Sequence, residues 1–273
     1  MFPRAGSPPE NQLAVIDAGV QASEDAPFVT ADYHFLPGDY IYFTFQVAGF
    51  AVKSEQRDEV HRISLSYEIT PRDANGVALT PAATDKIEDE LSPEDKNWLP
   101  KRRASFLIPS FVGAGEYSLH VTVKDIFGKS EAAADFPFRV GGVRIEPSTA
   151  LTVEDFQFKR SENDREPLKV AAYTPGDTVY AQFEMVGYKL GPNNGYQLSY
   201  GLTVLRPNGK PFFQDPKAAE LQAESFYPAQ FQPGTIGLTT TPDTPRGEYV
   251  IVLSVHDLIG NQTYETRRPF SVE

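Results

Sequence analysis

The stretch that decides the fold is Gly247-Glu248-Tyr249-Val250-Ile251-Val252-Leu253-Ser254-Val255-His256-Asp257, in which apolar and polar residues largely alternate. A second copy, Gly115-Glu116-Tyr117-Ser118-Leu119-His120-Val121-Thr122-Val123-Lys124-Asp125, lies 132 residues earlier in the same register. Alternation with a period of two is typical of a β-strand with one buried face. The repeated strand therefore predicts two related β units in one chain.

A second run of matches supports this duplication, because Leu13–Gly49 aligns without a gap on Leu151–Gly187. Both stretches contain the tripeptide Pro-Gly-Asp, at Pro37-Gly38-Asp39 and at Pro175-Gly176-Asp177. Proline fixes φ at the second position of a tight turn, and glycine accepts the positive φ of the third position. The tripeptide therefore predicts a turn that begins the next strand in each unit.

The length of 273 residues fits two domains. We predict a disordered lead-in at residues 1–12, a first unit at 13–142 and a second unit at 143–273, joined by a short connection. Each unit has about seven short segments with strand-like alternation, separated by turns, and no segment with the pattern of a long helix. The predicted fold is all-β, with two tandem immunoglobulin-like antiparallel β-sandwiches that arose from an internal duplication.

Composition excludes several classes of function. The net charge of −12 disfavours nucleic acids and anionic membrane surfaces as partners, since both select for basic faces. The absence of cysteine excludes disulfides, thiolate metal sites and cysteine nucleophiles. Residues 1–12 contain no signal-peptide pattern, and no apolar run is long enough for membrane insertion.

Two local features predict the connections between strands. Asn75-Gly76 and Asn208-Gly209 are the dipeptide that best satisfies the two positive φ values of a tight hairpin. The acidic segment at residues 82–95 and its counterpart at 218–224 follow these turns, and we expect either to form one short helical turn at a sheet edge.

The repeated tyrosine resembles a feature of immunoglobulin-like domains. In those domains a tyrosine two residues before the second cysteine closes a corner with its hydroxyl group. Tyr117 and Tyr249 stand two residues before Leu119 and Ile251, so an aliphatic residue takes the cysteine position. We therefore expect a fold that is held together by packing alone.

The turn motifs also resemble the macroglobulin-type domains of bacterial extracytoplasmic proteins. Unit two contains three of their landmarks, at Tyr173–Val179, Arg206-Pro207-Asn208-Gly209 and Gly247-Glu248-Tyr249. The resemblance implies the fold and a periplasmic or extracellular location, whereas the residues themselves leave a cytoplasmic location open. It implies no thioester chemistry, which needs a cysteine.

No residue stands out as catalytic, cofactor-binding or metal-binding, and we expect a protein that is not an enzyme. The four histidines form no pair with ligand spacing and are interpreted as solvated; they are His34, His61, His120 and His256. Asp125 and Asp257 precede turns and are interpreted as bonding the turn backbone rather than calcium. The acidic stretch Ser161–Glu166 is interpreted as a solvated loop, with calcium as the alternative.

The favoured function is a non-catalytic interaction or scaffold protein that binds another protein at the cell surface or in the periplasm. One alternative is a carbohydrate-binding module, for which Tyr42 and Tyr180 are the only repeated outer-face aromatic candidates. The other alternative is a protease inhibitor of sandwich type, which rests on the fold alone.

Overall fold

The computed structural model describes residues 12–54, 61–92, 95, 98–146, 148–164 and 166–273. The chain divides into two compact units, Met1–Arg144 and Ile145–Glu273. Residues 1–11 of the predicted lead-in lie outside the described residues.

Unit 1 consists of two sheets. One sheet has the strand order β1-β2-β6, and the other has the order β3-β4-β7-β8 with β5 also paired to β4. All of these pairings are antiparallel. The strands are β1 (Ala14–Gln21), β2 (Tyr40–Ala48), β3 (Lys53–Ser54), β4 (His61–Asp73), β5 (Ala83–Leu91), β6 (Lys101–Leu107), β7 (Gly115–Asp125) and β8 (Ser130–Val140).

Unit 2 repeats this strand order, with one sheet ordered β9-β11-β14 and the other β10-β16-β15-β12-β13. The short parallel pairing of β10 with β16 is its one departure from antiparallel pairing in the described residues. The elements are β9 (Thr152–Lys159), β10 (Ala172–Tyr173), β11 (Thr178–Val186), a 3-10 turn (Pro192–Asn194), β12 (Tyr196–Leu205), β13 (Pro211–Ala223), β14 (Phe231–Thr239), β15 (Gly247–Asp257) and β16 (Gln262–Val272).

The chain is therefore all-β and of the immunoglobulin-like β-sandwich type, as predicted. Alternate residues of each strand face the opposite sheet and form buried apolar stripes. On β2 and β11 these stripes are Ile41, Phe43, Phe45 and Val47, and Val179, Ala181, Phe183 and Met185. Across the ranges that the structure describes, we find no helix with the length and apolar character of a bilayer crossing.

Both predicted tyrosine corners are present. The hydroxyl of Tyr117 donates a hydrogen bond of 2.7 Å to the carbonyl of Gly113, and Tyr249 donates one of 2.7 Å to Pro245. Burial, with a smaller effect from the Asp73 carboxylate, raises the pKa of Tyr117 to about 12. The phenol therefore stays protonated and remains a hydrogen-bond donor throughout the physiological range.

Glycines mark matched points of close backbone approach in the two units. Gly49 and Gly187 both have a φ of 71°. A Cβ atom at either position would lie 2.0 Å from a backbone oxygen, that of Gln12 or Ala150. Glycine alone satisfies both requirements, since it tolerates a positive φ and has no Cβ atom to clash with the neighbouring backbone oxygen.

The Asn-Gly hairpin prediction was wrong in its turn geometry. Only the glycine of each pair has positive φ, 81° at Gly76 and 78° at Gly209. The N–H of Gly76 donates to the carbonyl of Asp73 at 3.0 Å, and that of Gly209 donates to Arg206 at 2.8 Å. Each connection is a four-residue turn whose last residue is the positive-φ glycine, so it needs one left-handed position instead of two.

The expectation of a helical turn in the acidic segments was also wrong. Residues 83–91 form β5, and residues 218–223 belong to β13. In β5, Ile87 is fully buried between exposed Lys86 and Glu88, which is the period of a strand. Pairing with β4 satisfies one side of the β5 backbone, and this long-range pairing outweighs the local helix preference of the acidic residues. Glu94, one residue of the predicted segment, lies outside the described residues.

Candidate functional site

Asp125 and Asp257 each hold the last hairpin turn of their unit, as the sequence predicted. Oδ1 of Asp125 accepts hydrogen bonds from the N–H groups of Phe127 and Gly128 at 3.0 and 2.9 Å. Its other oxygen accepts one from the N–H of Ala51 at 2.6 Å. With three backbone donors on a buried carboxylate, this side chain fixes the turn against the segment that follows β2.

Asp257 makes the equivalent bonds in unit 2. Its Oδ1 accepts from Ile259 and Gly260 at 3.0 and 2.9 Å, and its Oδ2 accepts from Lys189 at 2.9 Å. The interpretation of these aspartates as turn residues is confirmed by the backbone donors that occupy their oxygens.

The turn that Asp125 holds lies at an end of unit 1 where several connections meet. The strand registers place the β7–β8 turn, the start of β4, the end of β5 and the start of β6 at this end. Among the residues of these connections that the structure describes, four large apolar side chains are exposed. We call this set the apolar loop end; it consists of Val52, Trp98, Ile126 and Phe127.

Lysines accompany the apolar loop end. The ammonium group of Lys53 lies 5.7 Å from the ring centroid of Phe127, within the range of a cation–π contact. Lys129 is exposed in the same turn, and exposed Lys124 lies at the end of β7, 3.7 Å from Glu131. Acidic residues lie at the same end, among them Glu90 near the end of β5 and Glu131 at the start of β8, so lysines and carboxylates together border the apolar side chains.

The corresponding end of unit 2 has fewer exposed apolar residues and more buried ones. Leu258, which matches Ile126, is 51% exposed, and Phe226 is exposed on the connection between β13 and β14. Tyr188 is buried there and donates a hydrogen bond of 2.7 Å to the carbonyl of Ala229. Burial strongly raises the pKa of this phenol, so it remains a neutral structural donor.

The apolar loop end was not recognised as a site in the sequence. A signal was present, because both copies of the last turn have an aliphatic residue after the aspartate, in Asp125-Ile126-Phe127-Gly128 and Asp257-Leu258-Ile259-Gly260. Turns normally have polar residues at such positions. What the sequence lacked was the convergence of the other connections on the same end.

The histidines lie on the surface or partly buried beside it. His34 is exposed, and Nδ1 of His61 lies 2.8 Å from the hydroxyl of Ser54. Nδ1 of His256 lies 3.2 Å from the hydroxyl of Thr263. The rings of His61 and His256 therefore make local polar contacts on their strands.

Among the described residues, His120 is the one histidine that contacts a carboxylate through one ring nitrogen and a hydroxyl through the other, as the histidine of a catalytic triad does. Its Nδ1 lies 2.8 Å from Asp135 Oδ1, and its Nε2 lies 3.5 Å from Thr122 Oγ1. The pair lies opposite one another on β7 and β8, with the Asp135 side chain 63% exposed. Water screens such a pair, and the threonine contact is at the limit of a hydrogen bond, so we assign it no catalytic role.

The acidic loop at residues 161–166 bonds to its own backbone. Oδ2 of Asp164 accepts a hydrogen bond of 3.0 Å from the N–H of Ser161. Within the described residues, which omit Arg165, no group of three or more His, Asp or Glu side chains is arranged to hold a metal ion. The interpretation of this loop as solvated, with calcium as the alternative, stays a prediction.

The outer-face tyrosines differ between the units. Tyr42 lines a cleft of about 220 Å³ on the outer face of the β1-β2-β6 sheet. The ring of Tyr180 instead lies against Gly237, where a Cβ atom would be 3.7 Å from the ring. The sequence predicted both side chains on the outer face, but it did not distinguish their surroundings.

Comparisons with known proteins found similarity in structure alone. No protein-family model matches the chain, and no curated protein matches it either. Among solved structures, the chain is similar to the C-terminal domain of the AgI/II polypeptide BspA of Streptococcus agalactiae. That match has 11% identity and a TM-score of 0.30, and it covers 94% of this chain and 99% of the other.

Two further matches have comparable scores. The C-terminal domain of the antigen I/II-family protein AspA of Streptococcus pyogenes has 10% identity and a TM-score of 0.30, covering 93% of this chain and 99% of that one. The native conformation of E. coli alpha-2-macroglobulin has 13% identity and a TM-score of 0.27, covering 100% of this chain and 15% of that one. We assign no activity to the chain from these similarities.

Proposed function

We propose that this chain is a non-catalytic interaction protein whose apolar loop end docks another protein. The observation that carries the proposal is the exposure of Ile126, at 54%, beside Phe127 in a turn that a buried carboxylate fixes. Exposed apolar groups in a fixed conformation lose little conformational entropy on binding, so more of their burial is available as affinity.

The composition of the apolar loop end fits a protein partner. Aromatic residues are enriched at the centres of protein interfaces, and tryptophan is frequent among the residues that dominate binding. Trp98 and Phe127 are the aromatic residues here. Lys53 and Lys129 lie beside these apolar residues, so we propose a partner surface with an apolar centre and with acidic groups opposite the two lysines.

An anionic membrane is the competing occupant for apolar side chains among lysines. The net charge of −12 repels such a surface over a distance of about 8–10 Å at physiological salt. This favours a protein partner, whose acidic groups occupy a limited area.

The resemblance of the turn motifs to macroglobulin-type domains supports two further parts of the proposal, the location of the protein and its origin by duplication. It suits a location in the periplasm or at the cell surface, and it suits two units that arose by duplication. The common strand order of the two units agrees with a duplication. A protease-inhibitor role has no observation that favours it over general protein binding.

The test is capture of partners by the full chain from the source organism, followed by quantitative binding to the purified partner. We expect Ile126→Ser and Phe127→Ser each to weaken the complex at least tenfold, and Lys129→Glu to slow association most at low salt. The matched control is Leu258→Ser, which removes the equivalent side chain of unit 2 and should leave affinity unchanged.

Three results would overturn the proposal. One is a partner whose affinity is unaffected by Ile126→Ser and Phe127→Ser. Another is a complex that Leu258→Ser disrupts while Ile126→Ser does not. The third is salt-sensitive binding of the chain to phosphatidylserine vesicles that Ile126→Ser abolishes, which would assign the apolar loop end to a membrane.

A further inference from the structure

The outer-face cleft of unit 1 contains polar side chains from all three strands of its sheet and from the segment after β1. Its volume is about 220 Å³, below the usual range for drug-sized ligands and suited to a single small ring. The side chains that line it are Gln21, Glu24, Tyr42, Thr44, Arg103 and Ser105.

The floor of the cleft is fixed by buried hydrogen bonds. The hydroxyl of Thr44 donates to Oε1 of Gln21 at 2.6 Å, and both residues are more than nine-tenths buried. The amide nitrogen of Gln21 donates in turn to the carbonyl of Ala26. These bonds hold the segment after β1 against the sheet, so the cleft exists before any ligand arrives.

One side of the cleft is closed by charged groups. The guanidinium of Arg103 lies 3.3 Å from Asp25 and 3.7 Å from Glu24. One cation facing two carboxylates leaves a net charge of −1, so an anionic ligand is disfavoured. The group nonetheless offers N–H donors on the half-exposed Arg103 and carboxylate acceptors on the more exposed Glu24 and Asp25, all accessible to a ligand.

The other side is aromatic. The rings of Tyr42 and Tyr40 lie 6.4 Å apart between centroids. Tyr40 stands directly opposite Leu107 across β2 and β6, and both side chains are about half-exposed. An apolar strip therefore continues from the cleft along the outer face of the sheet.

We propose that this cleft binds a neutral sugar residue, with the strip of Tyr40 and Leu107 supporting the next residue of an oligosaccharide. A sugar ring has an apolar C–H face, which packs on an aromatic ring, and hydroxyl groups that both donate and accept hydrogen bonds. Tyr42 supplies the ring, Arg103 supplies donors and Glu24 supplies acceptors. Ser105 can do both.

Unit 2 lacks this combination at the equivalent place. Tyr180 matches Tyr42, but the strand registers put Thr235 and Gly237 where unit 1 has Arg103 and Ser105. The guanidinium is thus replaced by a hydroxyl, and the serine by glycine. The binding site is accordingly assigned to unit 1, and Tyr180 is a matched control for Tyr42.

The experiment is an array of neutral hexose and N-acetylhexosamine oligosaccharides printed beside sialylated ones, with titration calorimetry of the neutral glycans that bind. We expect the intact chain to bind neutral glycans in preference to sialylated ones. Tyr42→Ala and Arg103→Ala should each weaken binding at least tenfold. Tyr42→Phe, which keeps the ring, and Tyr180→Ala should stay within twofold of wild type.

Thermal melts of each variant separate lost binding from lost folding, and Arg103→Ala keeps the test valid if Tyr42→Ala is unstable. The proposal is overturned by an array with no neutral ligand, by preference for sialylated glycans, or by loss of binding in Tyr180→Ala with retention in Tyr42→Ala. Ile126→Ser should leave glycan binding unchanged, so this result stands apart from the test of protein docking.

Discussion

The backbone N–H of Ala51 donates a hydrogen bond of 2.6 Å to Oδ2 of Asp125, although the two residues lie 74 positions apart. Lys189 and Asp257 repeat the relationship at 2.9 Å. In each unit one buried carboxylate therefore joins the last hairpin turn to the connection between two earlier strands. This bond is what keeps the exposed Ile126 and Leu258 in a fixed position.

We expect Asp125→Asn and Asp257→Asn to destabilise their units by on the order of 1–3 kcal/mol. The amide oxygen still accepts the two turn bonds, but the new NH₂ group faces the N–H of Ala51 or Lys189. Two donors then meet in a buried place. Denaturant melts measure the loss, with Asp164→Asn as the control because Asp164 is only partly buried and accepts a backbone bond within its own loop. An equal loss in Asp164→Asn would contradict the role of the buried bond.

The tyrosine corners give a second prediction. Tyr117→Phe and Tyr249→Phe each remove one hydroxyl bond and should cost about 0.5–1.5 kcal/mol. Leu119→Ala and Ile251→Ala should cost about 2–5 kcal/mol, since both aliphatic side chains are fully buried and their truncation leaves a cavity. Urea unfolding measures both losses, and the prediction is wrong if the phenylalanine variants are less stable than the alanine variants.

Glu184 predicts a pH dependence of stability. Burial, and to a smaller degree the Asp155 carboxylate, raises the pKa of Glu184 to about 7 from its ordinary value of 4.5. Within the described residues its buried Oε2 has no hydrogen-bond partner. The folded state therefore holds this proton more tightly than the unfolded state. The stabilisation is complete below pH 4.5 and is lost as the pH rises through about 7.

The measurement compares urea unfolding of wild type and Glu184→Gln at pH 4.5 and pH 8. From pH 4.5 to pH 8, we expect the free energy of unfolding to fall on the order of 1–3 kcal/mol more in the wild type than in the variant. Gln46 holds the equivalent position of unit 1, so the substitution has a natural precedent in the chain. Exposed Glu248→Gln is the control, and the same effect in that variant would contradict the assignment.

Separate expression of residues 1–144 and 145–273 should give two fragments that each unfold cooperatively. Each strand pairing in the described residues joins two strands of the same unit, so neither fragment loses a partner strand. The N–H of Ala114 donates to the carbonyl of Val143 at 2.7 Å. A fragment that ends at Gly141 should therefore be less stable than one that ends at Arg144, as hydrogen exchange near Ala114 would report. Collapse of exchange protection in both halves would show that the units depend on each other.

The sequence by itself determined the strands, their buried faces and several turns. These features follow from local patterns: a period of two along β7 and β15, proline and glycine at Pro37-Gly38-Asp39, and a tyrosine before the buried position. The same local reasoning failed at β5, where acidic residues with helical preference pair with β4 because the sheet edge offers hydrogen bonds. It also misassigned the Asn-Gly turns, whose single left-handed residue depends on the register of the strands beside them.

The candidate sites were decided by tertiary structure alone. Ile126 and Trp98 lie at the same end of unit 1 only because the strand registers bring their connections to that end. Arg103 meets Glu24 at one side of the cleft because β6 pairs with β2 and the segment after β1 folds over the same face. Such contacts join residues far apart in the chain, and their chemistry depends on which faces and edges the sheets leave uncovered. An alternating pattern predicts which face of a strand is buried, but it does not predict which groups lie next to the exposed face.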